Sequence, residues 1–193
     1  LHGSTQLSVA NHVEINFLQS IGFTRVVLPR ELTFEEIKSI REHTTIELEV
    51  FVSGALCICY SGNCYLSSFL GGRSGNRGMC AQPCRKNYQI NQENKSYFLS
   101  PKDQFLGEEE IQKLKAIGID SIKLEGRMKE PNYVFTTVQY YRNLINDIAT
   151  KERSSSLFNR GYSKGYFYEK TSEIMNPLFS HLTMDFIIFY NIW

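Results

Sequence analysis

The spacing of apolar and polar positions divides the first 150 residues into alternating short strands and helices. Residues 1–8 (LHGSTQLS) read as a short strand that turns polar towards its end. Over 11–21 (NHVEINFLQSI), Val13, Phe17 and Leu18 recur at helical spacing, with Gly22 placed as a C-terminal cap. The β-branched run RVVLPRE (25–31) reads as a strand cut by Pro29. Thr33 and Glu36 have capping-box spacing, and Leu32 and Ile37 sit as a hydrophobic staple, so a helix is expected from near residue 34 to about His43. In ELEVFV (47–52), alternation puts Leu48, Val50 and Val52 on one strand face. SYFLSPKD (96–103) reads as extended and stopped by Pro101. Three glutamates at 108–110 suit the positive end of a helix running to Ile117, which Gly118 caps. DSIKLEG (120–126) is the next strand, and Pro131 suits the first position of a helix over roughly 132–149.

One unit occurs twice. Leu18-x-x-Ile21-Gly22-x-x-x-Val26-x-Leu28 returns as Leu114-x-x-Ile117-Gly118-x-x-x-Ile122-x-Leu124. Each copy is a helix end, a glycine turn and a buried strand. Repeated units of this kind imply parallel strands with helices outside them, in a doubly wound sheet or a (β/α) barrel. Functional residues then gather at the strands' carboxyl ends. Those ends carry Ser4, Thr5 and Gln6, then Arg30 and Glu31, then a cysteine-rich insert (54–88), then Glu125, Gly126 and Arg127. Residues 1–149 form the α/β unit on this reading. Beyond it, 150–177 divide into a linker (TKERSSS) and a small β extension or hairpin rich in glycine and aromatics, and 178–193 form an apolar tail without clean periodicity.

Chemistry concentrates in the insert. All five cysteines (Cys57, Cys59, Cys64, Cys80 and Cys84) fall within 28 of the 193 residues. With 42% hydrophobic and 21% charged residues the composition is that of a globular protein, and no apolar run approaches the ~20 residues of a membrane span. No signal peptide is recognisable, so the expected location is cytoplasmic, where disulfides are rare; an odd cysteine count also argues against a disulfide framework. The chain begins with Leu1 inside a strand-like pattern, which reads as a fragment. A net charge of +1 says little, but residues 71–88 contain Arg73, Arg77, Arg85 and Lys86 and no acidic residue, a local charge suited to phosphates.

The thiols suit a soft ligand shell. Their spacing is Cys57-x6-Cys64-x15-Cys80-x3-Cys84, with Cys59 spare. Zinc ribbons show two short knuckles, and only Cys80 and Cys84 resemble one. The irregular spacing after a strand suits a 4Fe–4S site better, with zinc or no metal as the alternatives. His2 at a strand is a weaker candidate ligand or base. Glu125 can serve as acid or base, or can hold Arg127 towards an anionic substrate; a strand-end ion pair is the plain alternative. Glu49 is a further carboxylate candidate. Tyr60, Tyr65 and Phe69 beside arginines can stack bases or pack under the loop.

These residues carry a resemblance. Glu49-x-Phe51-x-x-Gly54-Ala55-Leu56-Cys57-x4-Gly62-x-Cys64-x-Leu66-Ser67 resembles the signature of the peptidase U32 (collagenase-like) family. His2-x-Ser4-Thr5-Gln6, Lys123-x-Glu125-Gly126-Arg127-Met128-Lys129, Phe158-Asn159-Arg160-Gly161 and Gly165-Tyr166 extend the match over about residues 1 to 177. The resemblance implies a partial TIM-like (β/α) barrel made of the later strand–helix units, the earlier half-barrel belonging to the same protein. It implies an iron–sulfur-dependent factor that hydroxylates a tRNA or rRNA base, with RNA as partner. The rival is a metal-dependent collagenase-like peptidase acting on peptides, with Glu125 or Glu49 as base. Cys57, Cys64 and Cys80 match three family cluster ligands. Many members supply the fourth two residues beyond the stretch matching Ser100-Pro101-Lys102-Asp103, where this chain has Phe105, so either Cys84 completes the set or the cluster is incomplete or absent.

Overall fold

A computed structural model of the chain describes residues 1–89, 97–126, 129–150, 161–168 and 174. Its elements begin where local chemistry places them. β1 (His2–Gly3) leads into a 3-10 turn at Thr5–Leu7. α1 (His12–Ser20) is opened by Asn11, whose side chain accepts the Glu14 N–H at 3.0 Å. β2 (Arg25–Val27) ends two residues before Pro29. α2 (Phe34–Glu42) carries the full capping box: Thr33 Oγ1 accepts the Glu36 N–H at 3.3 Å, and the Glu36 carboxylate accepts the Thr33 N–H at 2.8 Å. Both staple residues, Leu32 and Ile37, are buried. β3 (Glu47–Ala55) runs three residues further than the alternation predicts.

The insert then holds α3 (Leu66–Gly71), two 3-10 turns at Gly75–Arg77 and Pro83–Arg85, and a ribbon of β4 (Asn87–Tyr88) antiparallel to β5 (Tyr97–Phe98). Next come β6 (Asp103–Phe105), α4 (Glu108–Ala116), β7 (Ser121–Leu124), α5 (Pro131–Ile145) and β8 (Tyr162–Ser163), the last followed by a 3-10 turn at Gly165–Tyr168.

The result is a mixed α/β sheet dominated by parallel pairs. β1 pairs with β2, β2 with β3 and β3 with β7, all in parallel and in chain order. β6 joins β3 antiparallel, and β8 lies parallel to β6. Leu48, Val50 and Val52 of β3 and Val26 and Leu28 around β2 form the core with Ile15, Leu18, Ile37, Ile40, Ile111 and Leu114 from the helices. Among the described residues no helix is long and apolar enough to cross a membrane.

The two repeated units close their helices alike. Phe23 N–H donates to Leu18 O at 3.1 Å, and Ile119 N–H to Leu114 O at 3.1 Å. Gly22 and Gly118 take φ of 98° and 78°, the conformation that ends each helix and turns the chain into its strand.

Four expectations change. Of the three positions read from the sequence Leu18 is buried, whereas Val13 and Phe17 are exposed, and Ile15 joins Leu18 in packing α1. Both stripes have helical spacing, and the second is the one continuous with Val9 and Val26 in the core. α5 stops at Ile145, where Asp147 turns left-handed with φ 54°. β6 forms just past Pro101, where no separate strand is legible. The aromatic stretch read as a small β extension or a hairpin contributes β8 to the main sheet itself, and Phe167 beyond it lies in the core. The linker residues 151–160 and the tail 178–193 lie outside the described residues.

Candidate functional site at the carboxyl ends of the parallel strands

Proline at position 29 ends β2 and delivers Arg30 and Glu31 to the top of the sheet. Arg30 Nη2 donates to Glu125 Oε2 at 2.7 Å, joining the ends of β2 and β7, and its guanidinium lies 3.8 Å from the centroid of the Phe51 ring. Glu125 is set in place by its neighbour strand. Its N–H donates to Ser53 O at 2.9 Å, and Gly54, at φ 122°, lets it lie where a Cβ would come within 2.5 Å of its own.

Glu31 anchors the start of the cysteine loop. Its carboxylate accepts the Ser61 N–H at 2.7 Å and the Ser61 hydroxyl at 2.9 Å. Ser8 Oγ donates to Ser61 O at 2.6 Å, so the ends of β1, β2 and β3 are laced together beneath the loop. Tyr166, in the 3-10 turn after β8, donates its hydroxyl to Cys57 O at 3.3 Å. Burial, with Glu31 and Cys57 adding to it, pushes the Tyr166 phenol above its ordinary value.

None of the five cysteines forms a disulfide. Cys59 lies in hydrogen-bonding contact with both Cys57 and Cys64. A hydrogen bond from Cys59 pulls the Cys57 thiol down to about 6 against the opposing effect of burial, and the Arg30 charge helps. Cys59, which donates, is held protonated by the same contact and by Cys64. Cys80 and the Cys64 backbone both flank Gly75, where a Cβ would lie 3.6 Å from the Cys80 Cβ and 3.8 Å from the Cys64 carbonyl oxygen. Cys84 stands in the second 3-10 turn, and its carbonyl accepts the Ser100 N–H at 2.9 Å. Asn76 Oδ1 accepts the Cys64 N–H at 3.1 Å and Ser67 Oγ accepts the Ala81 N–H at 2.9 Å, which gives the loop an internal frame. The donors suit a soft metal or cluster in kind. Among the described residues, however, no three Cys, His, Asp or Glu side chains are arranged to hold a metal ion. Replacing Cys59 with alanine removes the donor, so the thiolate absorbance attributable to Cys57 is expected to titrate at least about one pH unit higher than in the parent. An unchanged titration midpoint refutes the pairing of these two thiols.

The other anticipated residues separate. Glu49 accepts Lys123 Nζ at 2.7 Å, Ser121 Oγ at 3.0 Å and Arg25 Nη1 at 3.4 Å. Burial works against its charge, but these donors, Lys123 foremost, hold its carboxyl below the ordinary value. It lies four residues before Ser53, the neighbour of Glu125, so roughly 13 Å of strand separates the two carboxylates. They do not form a pair. Arg73 donates through Nε to Met79 O at 3.2 Å, Arg85 donates to Gln82 Oε1, and Arg77 is exposed, all on the cysteine lobe. Arg127 lies outside the described residues. Phe105, where a fourth family cysteine was expected, instead packs its ring 5.2 Å from Tyr162 and 5.4 Å from Tyr140.

Arg30, Glu31, Cys59 and Tyr166 were not assigned roles from sequence. Pro29 signalled where Arg30 and Glu31 emerge, while the spacing left Cys59 spare. Tyr166 was marked only by the family match at Gly165-Tyr166.

Fold and site together define an α/β protein with charged groups at its parallel strand ends and a cationic, thiol-bearing lobe above them. The chain belongs to peptidase family U32, whose family model matches residues 1–177. It is 42% identical over 158 residues to tRNA hydroxylation protein P1 of Bacillus subtilis, covering 76% of this chain and 37% of that protein. It is 34% identical over 182 residues to a 23S rRNA 5-hydroxycytidine synthase of Escherichia coli, covering 90% of this chain and 27% of that protein. A collagenase of Porphyromonas gingivalis is 32% identical over 201 residues, covering 86% of this chain and 47% of that protein. The chain thus spans less than half the length of these relatives. No solved structure matches it.

Proposed function

We propose that the chain is the cysteine-bearing part of an RNA hydroxylation factor of family U32, acting on a tRNA or rRNA base in the cytoplasm. The observation that carries this is the union, at one end of the sheet, of five cysteines outside any disulfide with a stretch, residues 71–88, that holds arginines and no acidic residue. Relatives named for tRNA and rRNA hydroxylation support it. We read the fold as the later units of a (β/α) barrel, because β1, β2, β3 and β7 follow one another in parallel without a reversal of order.

Within this reading Cys57, Cys64, Cys80 and Cys84 hold a 4Fe–4S cluster, zinc on the same thiols being the alternative. A bound cluster supplies electron-transfer chemistry there. The chain's own residues do the rest: Glu31 and Ser61 fix the root of the loop, Gly54 seats Glu125, and Glu125 orients the Arg30 guanidinium towards substrate. Arg73, Arg77 and Arg85 meet the RNA backbone. Anaerobic reconstitution with iron and sulfide is expected to give a broad visible absorption that is lost in Cys57→Ala and Cys64→Ala, with about four irons per chain. A colourless protein that takes up a single zinc overturns the cluster. The RNA reading is tested separately, by mass spectrometry of RNA from cells lacking the whole gene: loss of one hydroxylated pyrimidine supports it, and an unchanged spectrum refutes it.

The collagenase among the relatives gives the peptidase reading its support. With Glu49 neutralised by Lys123 and Arg25, that reading leaves Glu125 as its base, and Glu125 is already engaged by Arg30.

A further inference from the structure

The cysteine lobe carries a surface that neither the core nor the thiols account for. Around α3, Phe69 is 89% exposed and Tyr65 66% exposed, with Leu70 and Met79 open beside them. The Phe69 N–H donates to Tyr65 O at 2.9 Å, so the two residues are one helical turn apart. Side chains so related rise from the same side, about 5–6 Å apart at their Cβ atoms. Two exposed aromatic side chains therefore leave the helix on one side, and buried Ser67 anchors it on the other. The charge around them has one sign. Arg73 and Arg77 are exposed and neither is paired with a carboxylate among the described residues, and residues 71–88 contain no acidic side chain.

We propose that Tyr65 and Phe69 form a stacking platform for unpaired RNA bases, with Arg73 and Arg77 on the adjoining phosphates. Each element is needed for this partner. An apolar protein face does not require the arginines, and a duplex does not require the rings, because its bases are already stacked and its backbone needs only cations. Single strands take both, since every base has a face to stack and every linkage a charge to neutralise. The inference rests on the RNA reading above and sharpens it: the substrate is met in a loop or single-stranded stretch.

The test is fluorescence anisotropy of the 193-residue chain with a labelled oligouridylate of about twelve nucleotides and with a duplex RNA of similar length. The parent is expected to prefer the single strand. Tyr65→Ala with Phe69→Ala weakens single-strand binding by about tenfold or more and leaves duplex binding within about twofold. Phe69→Trp, which keeps a stacking face, retains binding. Arg73→Ala with Arg77→Ala weakens both and lowers the salt slope for the single strand by about 1.4. Single-strand affinity unaffected by loss of the rings overturns the platform while leaving the RNA reading intact. An equal loss on strand and duplex overturns it too, as does a parent dimer in sedimentation that the ring variants abolish, since the patch then serves a second copy. If the parent binds neither RNA, the platform falls; the hydroxylated-base measurement still decides the wider reading.

Discussion

Gly54→Ala is expected to destabilise the protein by about 3 kcal/mol, a fall of about 6–12 °C in thermal midpoint. Two costs coincide at this residue. Its φ of 122° is a conformation that residues with a Cβ rarely adopt, and the added carbon lands 2.5 Å from the Glu125 Cβ and 2.7 Å from the Glu125 carbonyl oxygen. Both obstacles belong to the neighbouring strand end rather than to a flexible side-chain tip, so relief requires β3 and β7 to part. That movement draws Glu125 from Arg30 and loosens the site. Gly71 is the control: its φ is ordinary and nothing lies within 4 Å of a Cβ there, so Gly71→Ala is expected to be neutral or slightly stabilising. A Gly54→Ala midpoint within about 2 °C of the parent defeats the close-approach argument.

Glu110→Ala is expected to cost about 2–3 kcal/mol at neutral pH, measured by urea denaturation. Its side chain is fully buried. The carboxylate accepts the Gly107 N–H at 2.7 Å, the Tyr168 hydroxyl at 2.7 Å and Lys164 Nζ at 2.9 Å. The first bond caps α4, and the other two latch the 161–168 segment that carries Tyr166. Lys164 is partly exposed and regains water when unpaired, which keeps the loss at the lower end of buried pairs. Burial opposes the charge, yet the hydrogen bonds from Tyr168, Lys164 and Gly107 outweigh it and hold the carboxyl below its ordinary 4.5. The folded form is therefore the stronger acid. Its contribution is complete above pH 4.5 and is lost as pH falls through the lower folded value. Glu110→Gln should accordingly lag the parent at pH 7 and approach it in acid. A gap that does not narrow in acid shows that charge is not what the carboxylate supplies.

The capping box at Thr33 and Glu36 and the glycine turns at Gly22 and Gly118 were all readable because each is settled within about four residues. So was the buried face of β3. At the site, the strand-end positions of Arg30, Glu31 and Glu125 followed from the repeat and from Pro29, but their partners did not. Arg30 meets Glu125 across 95 residues, and Tyr166 meets Cys57 across 109. Glu49 was a carboxylate candidate inside a strand, where pairing with a lysine is the common alternative, and the register of β3 against β7, which sets it opposite Ser121 and within reach of Lys123, supplies that lysine.

Residue order alone was enough for α1, α2, α4 and α5 and for the strands β2, β3 and β7, for the doubled helix–glycine–strand unit, for the crowding of thiols and arginines into one loop, and for kinship with family U32. Three-dimensional packing chose which stripe of α1 faces inward, inserted β6 antiparallel beside β3, carried β8 into the main sheet and brought Cys59 between Cys57 and Cys64. The division has a physical origin. Caps and turns are hydrogen bonds and φ preferences confined to neighbouring residues, whereas strand partners, ion pairs and thiol contacts are selected by burial shared among segments far apart in the chain.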